Sequence, residues 1–144
     1  MAATTPAAFD PKPRQLGCTI DCVAGAAILA GQAVVINSTG VDFTVYPCDA
    51  DTSAVDKFVG IALYSQATAG DKVAVAGMGS IILACESEGA AIDAGDNLCA
   101  GSAAGCVKTV TDADQELIGY AIADIAANGT GYIVVLPQVA LKGA

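Results

Sequence analysis

Cysteine is the most reactive residue type that this 144-residue chain offers, since its thiol can form disulfides, bind soft metals or act as a nucleophile. The six copies are Cys18, Cys22, Cys48, Cys85, Cys99 and Cys106. Cys99 and Cys106 flank a loop of small residues, across which a disulfide is geometrically reasonable. Cys18 and Cys22 form the second candidate pair. For both pairs the alternative is a thiol buried as a small apolar side chain, which is what we predict for Cys48 and Cys85.

The chain has few residues suited to acid–base catalysis. The chain has no histidine, so a Ser–His–Asp triad cannot form, and a catalytic cysteine would need a neighbouring base or a helix N-terminus. The acidic residues fall mainly in predicted loops, where no two are singled out as a carboxylate pair. The spacing of Cys18 and Cys22 is not that of a zinc ribbon, and the Asp-rich stretches at 49–53 and 112–114 lack the glycine of a calcium loop. The sequence therefore predicts no catalytic residue, no metal site, no cofactor and no enzyme.

Charge and hydrophobicity exclude several kinds of partner. Fifteen acidic residues against six basic ones give a net charge of −9, whereas nucleic acids and anionic membranes attract proteins rich in Lys and Arg. No apolar run reaches the roughly 20 residues that span a bilayer, and the first residues lack the pattern of a secretory signal. Hydrophobic residues make up 54% of the chain and charged ones 15%. We therefore expect part of the apolar surface to end in a contact between proteins.

Short apolar runs, separated by clusters of Gly, Asp, Asn and Ser, indicate an all-β fold from residue 17 onward. About eight strands recur at a spacing of roughly 8–12 residues, which is typical of a β-sandwich or β-barrel. The predicted strands are 33–36, 43–46, 58–63, 72–76, 79–83, 106–110, 117–122 and 132–136. Residues 17–144 are thus predicted to form a single β-barrel domain.

The predicted strands fall into two similar halves, at about residues 28–83 and 92–141. Phe58-Val-Gly-Ile-Ala-Leu63 resembles Leu117-Ile-Gly-Tyr-Ala-Ile122, and the match continues with one residue inserted in the second copy. Glycines that can take a positive φ mark four tight turns between strands, at Gly31, Gly70, Gly95 and Gly129. Two similar halves packed on one core predict a small closed or nearly closed barrel.

The first 16 residues have a different texture, with prolines at positions 6, 11 and 13. Proline fixes φ and removes a hydrogen-bond donor, so this segment is predicted to be neither a helix nor a central strand. We predict an extended N-terminal arm over residues 1–16. It is either a disordered tail, the commonest state of a terminus, or a segment that becomes ordered on a neighbouring subunit.

Five short motifs carry a resemblance that covers about residues 23–137. They are the turn and strand Ala30-Gly-Gln-Ala-Val-Val35, the strands Val59-Gly-Ile-Ala62 and Ile118-Gly-Tyr-Ala121, and the turns Ala69-Gly-Asp-Lys-Val73 and Ala94-Gly-Asp96. In these motifs the chain resembles the capsid decoration, or cement, proteins that tailed phages encode beside the major capsid protein. The resemblance implies a homotrimeric β-barrel or β-sandwich protein that is made in the host cytoplasm, binds the major capsid protein on the outer surface of the virion and braces the shell.

The arm lies outside the resemblance, and our hypothesis is that it reaches along the capsid or a neighbouring protomer, with Phe9 as an apolar anchor and with Lys12 and Arg14 meeting acidic capsid loops. Deletion of residues 1–16 is then expected to abolish attachment and to leave the barrel folded. Two other roles stay open at this point. One is a tail or fibre component of a virion, and the other is a carbohydrate-binding β module, for which four Tyr, three Phe and no Trp offer few aromatic platforms.

Overall fold

A computed structural model describes residues 7–36, 42–48, 57–101, 103–111 and 116–140. Within these ranges all regular elements are β-strands, as predicted. They are β1 (Thr19–Ala24), β2 (Ala33–Ile36), β3 (Thr44–Pro47), β4 (Lys57–Ala62), β5 (Lys72–Ala76), β6 (Ile81–Cys85), β7 (Asn97–Ala100), β8 (Val107–Thr109), β9 (Glu116–Ala121) and β10 (Thr130–Ala140). The sequence pattern did not predict β1 and β7, because polar residues shorten their apolar runs.

The first half of the chain closes a barrel by itself. Its strands follow the order β1-β3-β2-β4-β5, and β5 returns to β1 as an antiparallel pair that runs from Thr19 opposite Ala76 to Val23 opposite Lys72. The other neighbour of β1 is β3, which lies parallel to it with Ala24 opposite Val45. The prediction of a barrel is therefore confirmed, but the barrel closes within one half and does not need both.

The second half forms a five-stranded sheet in the order β6-β10-β9-β7-β8. Followed in the other direction around the closed barrel, the first order is β1-β5-β4-β2-β3. Replacing each of these strands by the one that comes five strands later in the chain gives the order of the second sheet, so the two halves share one topology. The isolated bridge between Ile28 and Gln66 in the first half likewise corresponds to that between Ile92 and Ile125 in the second. The internal duplication is thus present in the hydrogen bonding as well as in the sequence.

Strand register corrects the alignment of the two halves. Ile61 lies opposite Ala76 in the barrel, and Tyr120 lies opposite Val134 in the second sheet. Because Tyr120 corresponds to Ile61, Val134 takes the place of Ala76. The second copy is therefore one residue shorter over this stretch, and the prediction of an inserted residue is wrong.

The missing residue lies just before the last of four tight turns, where Ala67 of the first half has no counterpart between Ile125 and Ala126. In each turn the fourth residue donates its backbone N–H to the carbonyl of the first, and the pairs are Gln32 and Leu29, Asp71 and Thr68, Asp96 and Asp93, and Gly129 and Ala126. The third residue has a positive φ, and these residues are Gly31 (89°), Gly70 (95°), Gly95 (92°) and Asn128 (56°). The left-handed residue of the fourth turn is thus Asn128 and not Gly129, which agrees with the tolerance of asparagine for this conformation.

Two layers of apolar side chains hold the halves together. The barrel interior is filled by small and β-branched residues, among them Val34, Val45 and Val75, all fully buried. A larger cluster joins the outer surface of the barrel to the inner face of the second sheet, and in it Ile61 and Ala76 pack with Ile82, Ile133 and their neighbours. Burial of each large aliphatic side chain contributes roughly 1.5–3 kcal/mol to folding, so this shared core couples the two halves.

Candidate functional site

The N-terminal arm lies along β6 of its own chain. The backbone N–H of Arg14 donates to the carbonyl of Ile81 over 2.8 Å, and that of Ile81 donates to the carbonyl of Gln15 over 2.9 Å. Further along, the N–H of Leu83 donates to the carbonyl of Pro11 over 3.0 Å. The arm therefore pairs with the edge of β6 that β10 does not occupy. Residues 7–16 are thus ordered on their own chain, which is neither a disordered tail nor a segment ordered on a neighbouring subunit.

Phe9 is an anchor for this arm. Its N–H donates to the carbonyl of Ala30, and the tip of its ring packs against Gly31, where an added Cβ would come within 2.3 Å of the ring. The ring also packs on a small buried cluster of Cys85, Ala103 and Cys106. Phe9 was predicted to contact the capsid or a neighbouring protomer, but it makes its apolar contact within its own chain.

Lys12 and Arg14 lie side by side on the outside of the second sheet. The Arg14 guanidinium is stacked 4.9 Å from the centroid of the Tyr132 ring, and the Tyr132 hydroxyl donates to the carbonyl of Lys12 over 3.0 Å. Both cationic side chains are exposed. Because Tyr132 belongs to β10, the sheet fixes the backbone at Lys12, and the cation–π contact orients the Arg14 guanidinium.

Beside these cations, the outer face of the second sheet carries two cross-strand rows of large apolar side chains. One row runs Leu83, Tyr132, Ile122 and the other Ile81, Val134, Tyr120, across β6, β10 and β9. Tyr120 is 36% and Ile122 48% exposed, and the other four are partly exposed. We call these six residues the outer face.

Comparison with the first half shows why the outer face is unusual. Tyr120 and Val134 correspond to Ile61 and Ala76, which are fully buried because the second sheet packs on them. Sequence reasoning did not single out the outer face, although the replacement of Ile61 by Tyr120 was visible in the aligned halves. What the sequence could not reveal is that one copy of this surface is covered and the other is not.

The structure brings together a different pair of cysteines from those predicted. All six cysteines lie in the described ranges, and no disulfide joins them. Cys18 stands just before β1 and Cys22 within it, so about 13 Å of extended strand separates their Cα atoms, well beyond the roughly 7 Å that a disulfide allows. In the β7–β8 pair Cys99 lies opposite Lys108, so Cys106 is two residues away from the position that faces Cys99.

Cys106 instead faces Cys85, and their sulfur atoms are 2.6 Å apart. The hydrogen bond with Cys106, together with burial, raises the pKa of Cys85 far above its usual range. The same hydrogen bond lowers the pKa of Cys106, although burial opposes the change. Either thiol can donate in this contact, and Cys106 is the sulfur whose thiolate the contact favours.

A buried carboxylate lies beside this pair. Glu86, only 1% exposed, accepts backbone N–H donors from Asn128 over 2.8 Å and from Gly89 over 3.1 Å, and a third from Glu88. A carboxylate with three such donors is well satisfied, so its role is to tie the loop after β6 to the turn before β10. Within the described ranges no group of three or more Cys, Asp or Glu side chains is arranged to hold a metal ion, and no helix is long and apolar enough to cross a membrane.

These features define a small all-β scaffold whose most distinctive surface is an apolar sheet face flanked by two cations. The family model of phage cement proteins matches residues 13–137 of the chain, which therefore belongs to the phage cement protein family. The protein is a structural component of the phage virion, located at the capsid, which it decorates and stabilises.

A solved structure with the same fold belongs to the head fiber gp8.5 N base in bacteriophage phi29. The two chains superpose with a TM-score of 0.60 at 17% sequence identity, over 85% of this chain and 97% of the other. At this identity the similarity establishes the fold alone. No curated protein sequence matches the chain.

Proposed function

We propose that the outer face, with Lys12 and Arg14 beside it, is the surface through which this cement protein binds the major capsid protein. The observation that carries the proposal is the pair of exposed cross-strand rows around Tyr120 and Ile122. Monomeric proteins rarely expose contiguous apolar patches of this kind unless they serve a contact. The corresponding surface of the first half is already used in packing, which supports the view that this sheet geometry suits a protein partner.

The two cations beside the outer face indicate the charge of the capsid surface that it would meet. In a chain with a net charge of −9, Lys12 and Arg14 place two of the six basic residues within three positions. The stacking of Arg14 on Tyr132 preorganises the guanidinium and so reduces the entropy lost when it pairs with a carboxylate. Acidic loops of the capsid protein are the complementary partner that we infer.

Co-sedimentation with capsids of the parent phage tests the outer face. The double substitution Tyr120→Ser with Ile122→Ser removes two exposed side chains and is expected to weaken capsid binding about tenfold or more, without loss of folding. The matched control is Phe43→Ser with Tyr64→Ser, which removes two barrel side chains that are 64% and 45% exposed. Equal binding by the two double variants would contradict the proposal.

Charge reversal tests the cations separately. Lys12→Glu with Arg14→Glu should weaken capsid binding, and raised salt should weaken binding of the wild type. Lys57→Glu with Lys72→Glu makes the same change in net charge on two barrel strands, β4 and β5, and should bind like the wild type. If both reversals weaken binding equally, net charge and not a local contact is responsible.

We also propose that the protein assembles as a homotrimer. The resemblance to decoration proteins and the low share of charged residues, 15%, support self-association. Symmetric copies would supply avidity on a shell even when each contact is modest. Light scattering after gel filtration should give about three times the chain mass of 14.1 kDa, and a mass of one chain at capsid-binding concentrations would exclude the trimer.

The fold shared with a head fiber base favours one alternative, a part that anchors a fibre to the head. Copy number per particle tests the cement role, because a protein that covers the shell is present in many copies. Quantitative mass spectrometry of purified virions should give a number comparable with that of the major capsid protein.

A further inference from the structure

The second sheet lacks the strand pairing that closes the barrel. In the first half β1 and β3 lie side by side, with Ala24, the last residue of β1, opposite Val45. Their counterparts are β6 and β8, which are the two edge strands of the second sheet and form no ladder with each other in the described ranges. The second half is therefore an opened version of the barrel, with a seam between β6 and β8.

Cys85 and Cys106 lie in this seam. Cys85 ends β6 and Cys106 immediately precedes β8. By strand register Cys85 corresponds to Val23 and Cys106 to Thr44, and these two residues lie opposite each other where β1 pairs with β3. Their sulfurs are 2.6 Å apart, and the residues are 3% and 0% exposed. A disulfide has an S–S length of about 2.05 Å, so only a small adjustment of the two side chains is needed to form one.

We propose that Cys85 and Cys106 form a disulfide that closes the second sheet at the place where the barrel closes by strand pairing. The bond would join the two edge strands covalently and hold the loop that contains Gly105 between the halves. Gly105 links those halves, since its carbonyl accepts the N–H of Ala33 and its N–H donates to the carbonyl of Cys48. The proposal does not depend on which surface meets the capsid.

The chemistry is thiol–disulfide exchange with a small-molecule disulfide as the oxidant. The Cys106 thiolate attacks one sulfur of the oxidant and expels a thiolate, and the Cys85 sulfur then attacks Cys106 in the mixed disulfide and expels the second. The two protein thiols lose two protons and two electrons, and the oxidant is reduced to two thiols. Disulfides persist outside the reducing cytoplasm, which is where a released virion is found.

The arrangement favours this pair over the other cysteines. Cys106 is the more readily ionised partner, whereas burial raises the pKa of Cys22 and Cys99 and so disfavours their thiolates. Cys48 is the main competitor, because its sulfur is 3.7 Å from the Cys106 carbonyl oxygen. Phe9 of the arm packs over the pair, so the oxidant gains access when the arm is displaced.

The test uses the full-length protein, purified under reductant and then incubated with oxidised glutathione. After cleavage at Lys, Arg and Glu, non-reducing mass spectrometry should find peptide 73–86, whose single cysteine is Cys85, linked to peptide 89–108. Fragment ions of the linked peptide should place the bond at Cys106 and not at Cys99. Oxidation should raise Tm by about 8 °C, as expected for a loop of this size. Phe9→Ala should speed formation of the bond several-fold.

Two variants give the matched comparison, and each is compared with its own reduced form because a buried substitution can lower Tm by itself. Cys85→Ala should lose the oxidant-dependent rise in Tm, whereas Cys99→Ala should keep both the rise and the linked peptide. Linkage of Cys106 to Cys48 or Cys99 would overturn the proposal. So would an unchanged thiol count and an unchanged Tm after incubation with oxidised glutathione.

Discussion

At the scale of single residues, Glu86 shows how a buried charge can serve structure. Its carboxylate accepts three backbone N–H donors, two of them from Asn128 and Gly89. We predict that Glu86→Ala lowers the free energy of unfolding by about 3 kcal/mol, because buried donors are left without their charged acceptor. Urea denaturation measures this value. Asp71→Asn, at an exposed carboxylate, is the control, and a loss below about 1 kcal/mol for Glu86→Ala would contradict the assignment.

Asn128 provides a second residue-scale prediction, since it holds the left-handed position of its turn with φ 56°. Asn128→Ala should cost about 1 kcal/mol of stability, because alanine gains nothing locally to offset a left-handed backbone. Asn128→Gly should be neutral or slightly stabilising. Thermal denaturation of the two variants checks this, and equal Tm values for both would show that position 128 is not the strained one.

At the scale of elements, the arm acts as an edge strand for β6. Its carbonyls accept the N–H groups of Ile81 and Leu83, while the N–H groups of Ile82 and Ala84 point to the other side, toward β10. Deletion of residues 1–16 should therefore abolish hydrogen-exchange protection at Ile81 and Leu83 and preserve it at the two alternate positions.

Deletion of residues 1–6 is the control, because it leaves these arm contacts in the chain and should keep all four amides protected. Retained protection at Ile81 and Leu83 after the longer deletion would contradict the docked arm.

Deletion of residues 1–16 also affects capsid attachment. Since it removes Lys12 and Arg14 together with the support of β6, loss of attachment alone would not show that the arm itself touches the capsid.

Much of the element level was predictable, and the exceptions have physical causes. The apolar runs and the repeat led to the all-β fold and most of the strands. β1 was missed because Thr19 and Asp21 leave it without a continuous apolar run, although the alternating side chains of Ile20, Cys22 and Ala24 face inward and fill the barrel. The contact of Cys85 with Cys106 depends on the curvature that brings two edge strands together, and no spacing in the sequence records that curvature.

At the scale of the whole molecule, the core shared by barrel and second sheet makes the two halves interdependent. Ile61 and Ala76 of the barrel are buried by the second sheet, so neither half can unfold without exposing apolar surface of the other. We propose that residues 17–144 are one folding unit and predict a single calorimetric transition whose van't Hoff and calorimetric enthalpies agree. Two separated transitions would instead indicate two independent domains.

The central claim is that the outer face of the second sheet meets the capsid. A cryo-electron microscopy reconstruction of decorated capsids of the parent phage tests it most directly, because it shows which surface of each copy faces the shell. We expect Tyr120 and Ile122 at the interface, with Lys12 and Arg14 within reach of acidic capsid side chains. A reconstruction in which the outer face points to solvent, with the barrel against the shell, would contradict the account.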